Sequence, residues 1–207
     1  IHTDHLVIGS GIAGLMLAHK LGQNNKVVII AKESLSENNS SYAQGGIASV
    51  LSPEDSFEKH IEDTLEAGAG LCHRDIVQAV VEAGPAAIKE LIALGVDFTR
   101  CNDGPQSQPY HLTLEGGHSE RRIIHADDLT GAEVVRALGA AIRSNPNITI
   151  YENTFAIDML TTDKVSPIFS QNYCLGAYAY HRDSREIYEI RSQATHLCAG
   201  GHGKVYL

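Results

Sequence analysis

Apolar residues first cluster at positions 4–9, where Asp4-His5-Leu6-Val7-Ile8-Gly9 has the form of a short buried strand. Gly9-Ser10-Gly11-Ile12-Ala13-Gly14 follows at once. Ile12, Leu15, Ala18 and Leu21 then recur at helical spacing, and Gly22, Asn24 and Asn25 end the helix. Lys26-Val27-Val28-Ile29-Ile30-Ala31-Lys32 is rich enough in β-branched side chains to make a second strand, buried and parallel to the first. Together these pieces predict one βαβ unit. A Ser/Asn-rich loop over 34–41 leads to a helix over 56–65 with Phe57, Ile61 and Leu65 on one face, broken by Ala67-Gly68-Ala69-Gly70. Ile76, Val77, Val80 and Val81 predict another helix, which Gly84-Pro85 punctuates, and Ile88, Leu91 and Ile92 a third that closes at Gly95. Residues 101–109 read as loop.

Thr130-Gly131-Ala132-Glu133 has the form of a capping box ahead of Val134, Val135, Leu138 and Ile142, so a helix starts there. Short β-rich runs at 148–157, 173–181, 186–190 and 194–198 predict one more strand of the main sheet, a small antiparallel meander and a return strand. The pattern is that of a doubly wound, Rossmann-like α/β domain around a parallel sheet, occupying residues 1–207 as one domain. Against 25 acidic residues stand 16 basic ones, a formal charge of −9, with no Lys/Arg cluster. That balance argues against nucleic acid or an anionic membrane surface as a partner. No apolar run approaches the ~20 residues needed to cross a bilayer, no signal peptide precedes the first strand, and the expected location is cytoplasmic. Cys72, Cys101, Cys174 and Cys198 form no CxxC pair and the eleven histidines no HExxH pair, so no metal site is expected.

The glycine turn is where chemistry enters. GxGxxG alone is weak, but here it follows a strand, opens a helix and leads to a second strand, the context of a dinucleotide site. Gly9 permits the tight turn, Gly11 lets backbone approach a pyrophosphate, and Gly14 lets helix and strand pack closely, while the helix N-terminus supplies N–H donors and partial positive charge. The ribose-binding acid expected after the second strand is replaced by Ala31-Lys32, with Glu33 displaced beyond it.

Three further segments carry a resemblance. Asn39-Ser40-Ser41-Tyr42-Ala43-Gln44-Gly45-Gly46-Ile47-Ala48, then Glu115-Gly116-Gly117-His118-Ser119 with Arg122, Ile123 and the HxxDxTG form of His125, Asp128 and Thr130, then Leu197-Cys198-Ala199-Gly200-Gly201, are similar to the FAD-binding part of the L-aspartate oxidases. These lie within the fumarate reductase and succinate dehydrogenase flavoprotein superfamily. The resemblance covers essentially the whole chain. It implies FAD as cofactor, with Ser10, Gly11, Ile12 and Ala13 at the pyrophosphate, Ala31 and Lys32 against the adenosine ribose, and Asn39 to Gly46 around the flavin. Phe155 and Ala156 match positions that meet the adenine end through their backbones, and Gly200-Gly201 matches a second glycine contact, with Ala199 in place of the usual threonine. Covalently flavinylated relatives carry a histidine where this chain has Asn39, so non-covalent FAD is implied.

The activity implied is oxidation of L-aspartate to iminoaspartate, reoxidised by dioxygen or fumarate, as the first step of quinolinate and NAD biosynthesis, with quinolinate synthase a possible partner. Glu115 would pair with the substrate α-ammonium. Arg121 and Arg122 read either as substrate-carboxylate clamps or as ion-pair residues beside Glu120 and Asp127. The chain is expected to supply the FAD-binding portion without the family's capping and C-terminal helical domains, and to be inactive alone. Rival readings are a fumarate reductase or succinate dehydrogenase type subunit, for which Asn39 and Glu115 are discordant, a flavin-binding module without chemistry of its own, and an NAD-binding dehydrogenase.

Overall fold

The computed structural model describes residues 1–101, 109–165 and 171–201. Most of the loop expected at 101–109, residues 102–108, lies outside them, as do the last six residues. The chain forms two compact units, Ile1–Ser41 with Val135–Leu207, and Tyr42–Val134. No helix of the described residues is long and apolar enough to cross a membrane.

In the first unit, β1 (His2–Ile8), α1 (Ile12–Leu21) and β2 (Val27–Ile30) form the predicted βαβ motif, with His5 to Ile8 of β1 in parallel register with Val27 to Ile30 of β2. Adding β6 (Ile148–Tyr151), β7 (Thr154–Thr161), β8 (Cys174–His181) and β9 (Glu186–Leu197) gives one six-stranded sheet of order β6-β2-β1-β9-β8-β7. The meander is continuous with the parallel sheet. The runs read as 186–190 and 194–198 are one strand, antiparallel to β8 up to Arg191 and parallel to β1 from Arg191 onward. The run read as 148–157 is two strands, parted at Glu152 and Asn153, where Asn153 takes a left-handed φ of 50°.

Leu6, Ile8, Val28, Ile30, Ile190, Ala177 and Ala179 form a single buried cluster, lined by Tyr151, Ala156, Met159 and Tyr188. Alanines on β8 keep this layer thin, and Gly176, at φ 137°, sits where a Cβ would overlap the Ile190 carbonyl. Along α1 the buried residues are Gly14, Leu15 and Ala18. A Cβ at Gly14 would overlap the Gly9 carbonyl oxygen, and one at Gly9 (φ 112°) the Cys198 carbonyl oxygen. Glycines therefore set how closely the first turn of α1 meets the ends of β1 and β9.

The second unit holds α2 (Phe57–Ala67), α3 (Arg74–Ala93) and a three-stranded antiparallel sheet, β3 (Ile47–Ala48), β5 (Ile123–Ile124) and β4 (Leu112–Thr113), in the order β3-β5-β4. Ser56 caps α2 by accepting from Lys59 N–H. The two helices read on either side of Gly84-Pro85 are one helix, α3, with Pro85 inside it. Val81, Ile88 and Leu91 are buried along one stripe, and that burial carries the helix past the lost proline N–H. Helix α4 (Thr130–Arg143) starts in the second unit and ends in the first. The Thr130 hydroxyl accepts from Ala126 N–H at 3.0 Å and the Glu133 carboxylate from Asp97 N–H at 2.8 Å, so both signature residues bind loops preceding the helix.

Arg122 is fully buried, its Nε and Nη2 each 2.8 Å from the Asp55 carboxylate and its Nη1 2.5 Å from Asp63 Oδ2. Burial opposes the Arg122 charge, but the hydrogen bonds it donates to Asp55 and Asp63 outweigh that and raise its pKa. Burial would likewise raise Asp63, yet Ser119 N–H, the Arg122 guanidinium and the Ser119 hydroxyl hold it at about 2, against an ordinary 3.8.

Two outcomes follow for stability. A depressed carboxylate stabilises the fold above its unfolded pKa and loses that contribution as the pH falls through the folded one. Urea unfolding should thus show a loss of about 2 kcal/mol between about pH 4 and pH 2, flattened in Asp63→Asn. Gly14→Ala should cost about 1–3 kcal/mol through overlap with backbone, whereas Gly11→Ala, whose Cβ would meet only the Ser40 hydroxyl at 3.3 Å, should unfold near the wild-type midpoint.

Candidate functional site

In the first unit the predicted phosphate-facing residues share one corner. Gly11 is the N-cap of α1, in extended conformation, and no acidic residue occupies the helix's first turn. Ile12 N–H donates to the Ser40 hydroxyl at 3.2 Å. The amides after it have no helical acceptor by construction, so the helix start offers donors and partial positive charge to an anion. Asn38, which lies just outside the sequence motifs, fastens the loop to the turn: its amide donates to the Ser10 carbonyl at 3.0 Å and the Leu35 carbonyl at 2.8 Å, and its oxygen accepts from Ser41 N–H at 3.0 Å. Asn39 stands exposed beside it. Cys198 N–H donates to the Ile8 carbonyl at 2.8 Å, which sets Ala199, Gly200 and Gly201 just beyond the first glycine, with Gly200 at φ 79°. Burial pushes the Cys198 thiol pKa up, as suits a packing residue.

The residues expected to meet the adenosine come from separated segments. Buried Ala31 donates its N–H to Tyr151 and accepts from Thr154 N–H at 2.8 Å, so Ala31, Lys32, Phe155 and Ala156 come together. Ala156 packs on the core, while Phe155 stays 40% exposed with its ring 5.5 Å from Tyr180. Glu33 is not free for a ribose: it pairs with Arg182, whose hydrogen bond holds its carboxyl below the usual carboxylate range. Lys32 is exposed at the same corner.

In the second unit Tyr42, Ala43, Gln44, Gly45 and Gly46 are exposed, and the Ala43 carbonyl accepts from Gly131 N–H at 3.0 Å. A Cβ at Gly46 would overlap the Ile124 carbonyl, so this glycine lets the loop enter β3 beside β5. Gly45 is different. A Cβ there would lie 3.9 Å from both oxygens of the exposed Glu115 carboxylate. Glu115 opens a turn in which Gly117 takes φ 83° and His118 N–H returns to the Glu115 carbonyl at 3.2 Å.

Of the two arginines, Arg122 is the internal ion pair described above and Arg121 is exposed. Glu120 pairs with Lys59 at 2.6 Å. Asp55 and Asp63 were not found from sequence, since nothing local marks them as partners of an arginine 67 and 59 positions away. His125 bonds the Asp127 carbonyl through Nδ1 at 3.2 Å and His111 through Nε2 at 2.8 Å. A cavity of about 560 Å³ walled by Tyr110, His111, Ser119, Glu120 and Arg121 opens in this unit, and neither Glu115 nor the 42–46 loop lines it.

A glycine cradle that a Cβ would fill and a helix start with no acid in its first turn suit the pyrophosphate of FAD. Comparison with known proteins agrees. Residues 4–206 match the family model described as FAD binding domain. L-aspartate oxidase from Pseudomonas aeruginosa is 46% identical over 99% of this chain and 38% of its own length, and the chloroplastic L-aspartate oxidase of Arabidopsis thaliana 42% identical over 99% and 30%. The chain thus spans about a third of the length of the curated relatives it matches. E. coli quinol fumarate reductase superposes with TM-score 0.88 at 28% identity, covering 100% of this chain and 34% of that one. Matched over nearly all its length, and folded around a glycine turn of the kind such cofactors require, this chain belongs to the FAD binding domain family and takes FAD as its cofactor.

Proposed function

We propose that this chain is the FAD-binding part of an enzyme that oxidises L-aspartate to iminoaspartate, with dioxygen or fumarate as final electron acceptor. The observation that carries the reading is Glu115: an exposed carboxylate beside Gly45, with no side-chain partner among the described residues. An acid so placed pairs with an α-ammonium and has nothing to offer succinate or fumarate, which lack one. The L-aspartate oxidase names of relatives 42% to 47% identical support the same substrate.

Within this reading Ser10, Gly11, Ile12 and Ala13 hold the pyrophosphate, Ala31, Lys32, Phe155 and Ala156 the adenosine, and Ala199, Gly200 and Gly201 a second stretch of the cofactor. Asn39, Ser40, Ser41 and the loop through Gly46 meet the flavin. When bound, FAD supplies the two-electron acceptor. Glu115 orients the substrate amine. The product is an imine that passes to quinolinate synthase in a cytoplasmic route to NAD, and FAD is held non-covalently because Asn39 stands where an attachment histidine would be. A fumarate reductase type of activity is the second reading, favoured by the TM-score of 0.88 to the E. coli enzyme and disfavoured by Glu115.

Glu115→Gln should raise KM for L-aspartate about tenfold to a hundredfold, the worth of a charge-assisted contact, and leave use of fumarate nearly unchanged. Equal losses for both substrates would give Glu115 a loop-supporting role instead. Acid precipitation should release all the flavin into the supernatant, and colour kept in the pellet would refute non-covalent binding. Gly11→Val should abolish flavin binding by filling pyrophosphate space, with normal flavin content as the contrary result.

A further inference from the structure

A carboxylate that reads an ammonium must be held in place, yet Glu115 sits on an exposed turn with two glycines. One end of that turn closes on itself through the His118 N–H to Glu115 carbonyl bond. The other end is fastened to α2. Asp63 Oδ2 accepts from Ser119 N–H and from the Ser119 hydroxyl, each at 2.8 Å, and the same oxygen receives Arg122 Nη1 at 2.5 Å. Arg122 is itself locked in two directions by Asp55. Its Nη1 also lies 3.3 Å from His118 Nδ1. A guanidinium only donates, so His118 Nδ1 is the accepting nitrogen and the ring hydrogen sits on Nε2.

Three closely spaced anchors, at 118, 119 and 122, therefore fix the chain just after Glu115 to one half-buried carboxylate and one buried guanidinium. A network meant only to hold α2 against the small sheet would need Arg122 with its two acids. It would not need both polar hydrogens of Ser119, the exposed residue four places from Glu115, on the same Asp63 oxygen.

We infer that Asp63, acting through Ser119 and Arg122, is a positioning residue for Glu115 and so for discrimination of the substrate amine. This rests on the reading of Glu115 as the ammonium acceptor. Misplacing a binding group by a fraction of an ångström weakens the contact it makes without changing the reacting atoms. The effect belongs in KM for the amine-bearing substrate and not in kcat.

The test is made in the FAD-loaded enzyme with L-aspartate and fumarate in parallel. Asp63→Asn should raise KM for L-aspartate about tenfold and Ser119→Ala about threefold, with kcat and the fumarate KM within about twofold of wild type. Ser119→Thr, which keeps the hydroxyl, should restore the wild-type KM. The apparent dissociation constant of L-aspartate, read from how the anaerobic flavin-reduction rate saturates with substrate concentration in rapid mixing, should move in step with KM. Ser119→Ala leaves every ion pair of Arg122 intact, so it reports on positioning even if Asp63→Asn loses stability. Unchanged KM values in both variants, or equal rises for both substrates, would overturn the inference while a discriminating Glu115→Gln enzyme keeps the substrate reading standing. A Glu115→Gln enzyme that does not discriminate would overturn both.

Discussion

The near-contact between the Gly14 position and the Gly9 carbonyl, with Gly9 itself against the Cys198 carbonyl, is the constraint on which the first unit depends. It brings the first turn of α1 and the carboxyl ends of β1 and β9 within backbone distance of one another. Only residues without a Cβ allow this. That closeness makes helix amides and a strand end converge, the arrangement proposed to hold the pyrophosphate, at a point where the sheet order passes from β2 through β1 to β9. The loop carrying Asn38 and Ser40 is tied to the same turn, so residues 38–41 are positioned by the glycines as well.

The second unit answers to a different force. Arg122 is buried against two carboxylates, an arrangement that is costly to desolvate and is held because all three of its nitrogens donate to them. Such a group does little for net stability against an apolar alternative, but it is directional. Here its direction is toward the turn at 115–119. The same residues that give the unit its acid sensitivity thereby fasten the turn that carries Glu115, the carboxylate proposed to read the substrate amine.

Much of this was legible in the chain because the relevant signals are local. Strand, glycine turn, helix and second strand follow one another within the first thirty-two residues, and each glycine has a separable reason to be there. What was misread turned on tertiary contacts. Arg191-Ser192-Gln193 looks like a turn, yet Arg191 and Ser192 pair with the polar start of β1 at His2 and Thr3 and the Gln193 amide donates to Asp4, which keeps β9 unbroken. Gly84-Pro85 looks like a helix end, yet a buried stripe on both sides carries α3 through. Strands of two residues, as in β3, β4 and β5, are too short to show a period. Glu33 reads as a loop acid and is held by Arg182, about 150 residues away. Asp55 and Asp63 look like ordinary polar residues around a helix start, and only the fold makes them partners of Arg122.

On the proposed function, Glu115 and the FAD cradle serve one L-aspartate-oxidising enzyme. Anaerobic addition of L-aspartate, and separately of succinate, to the FAD-loaded enzyme tests this most directly through the visible absorbance of oxidised flavin. The account predicts bleaching by L-aspartate and an unchanged spectrum with succinate. Bleaching by succinate with none by L-aspartate would contradict it.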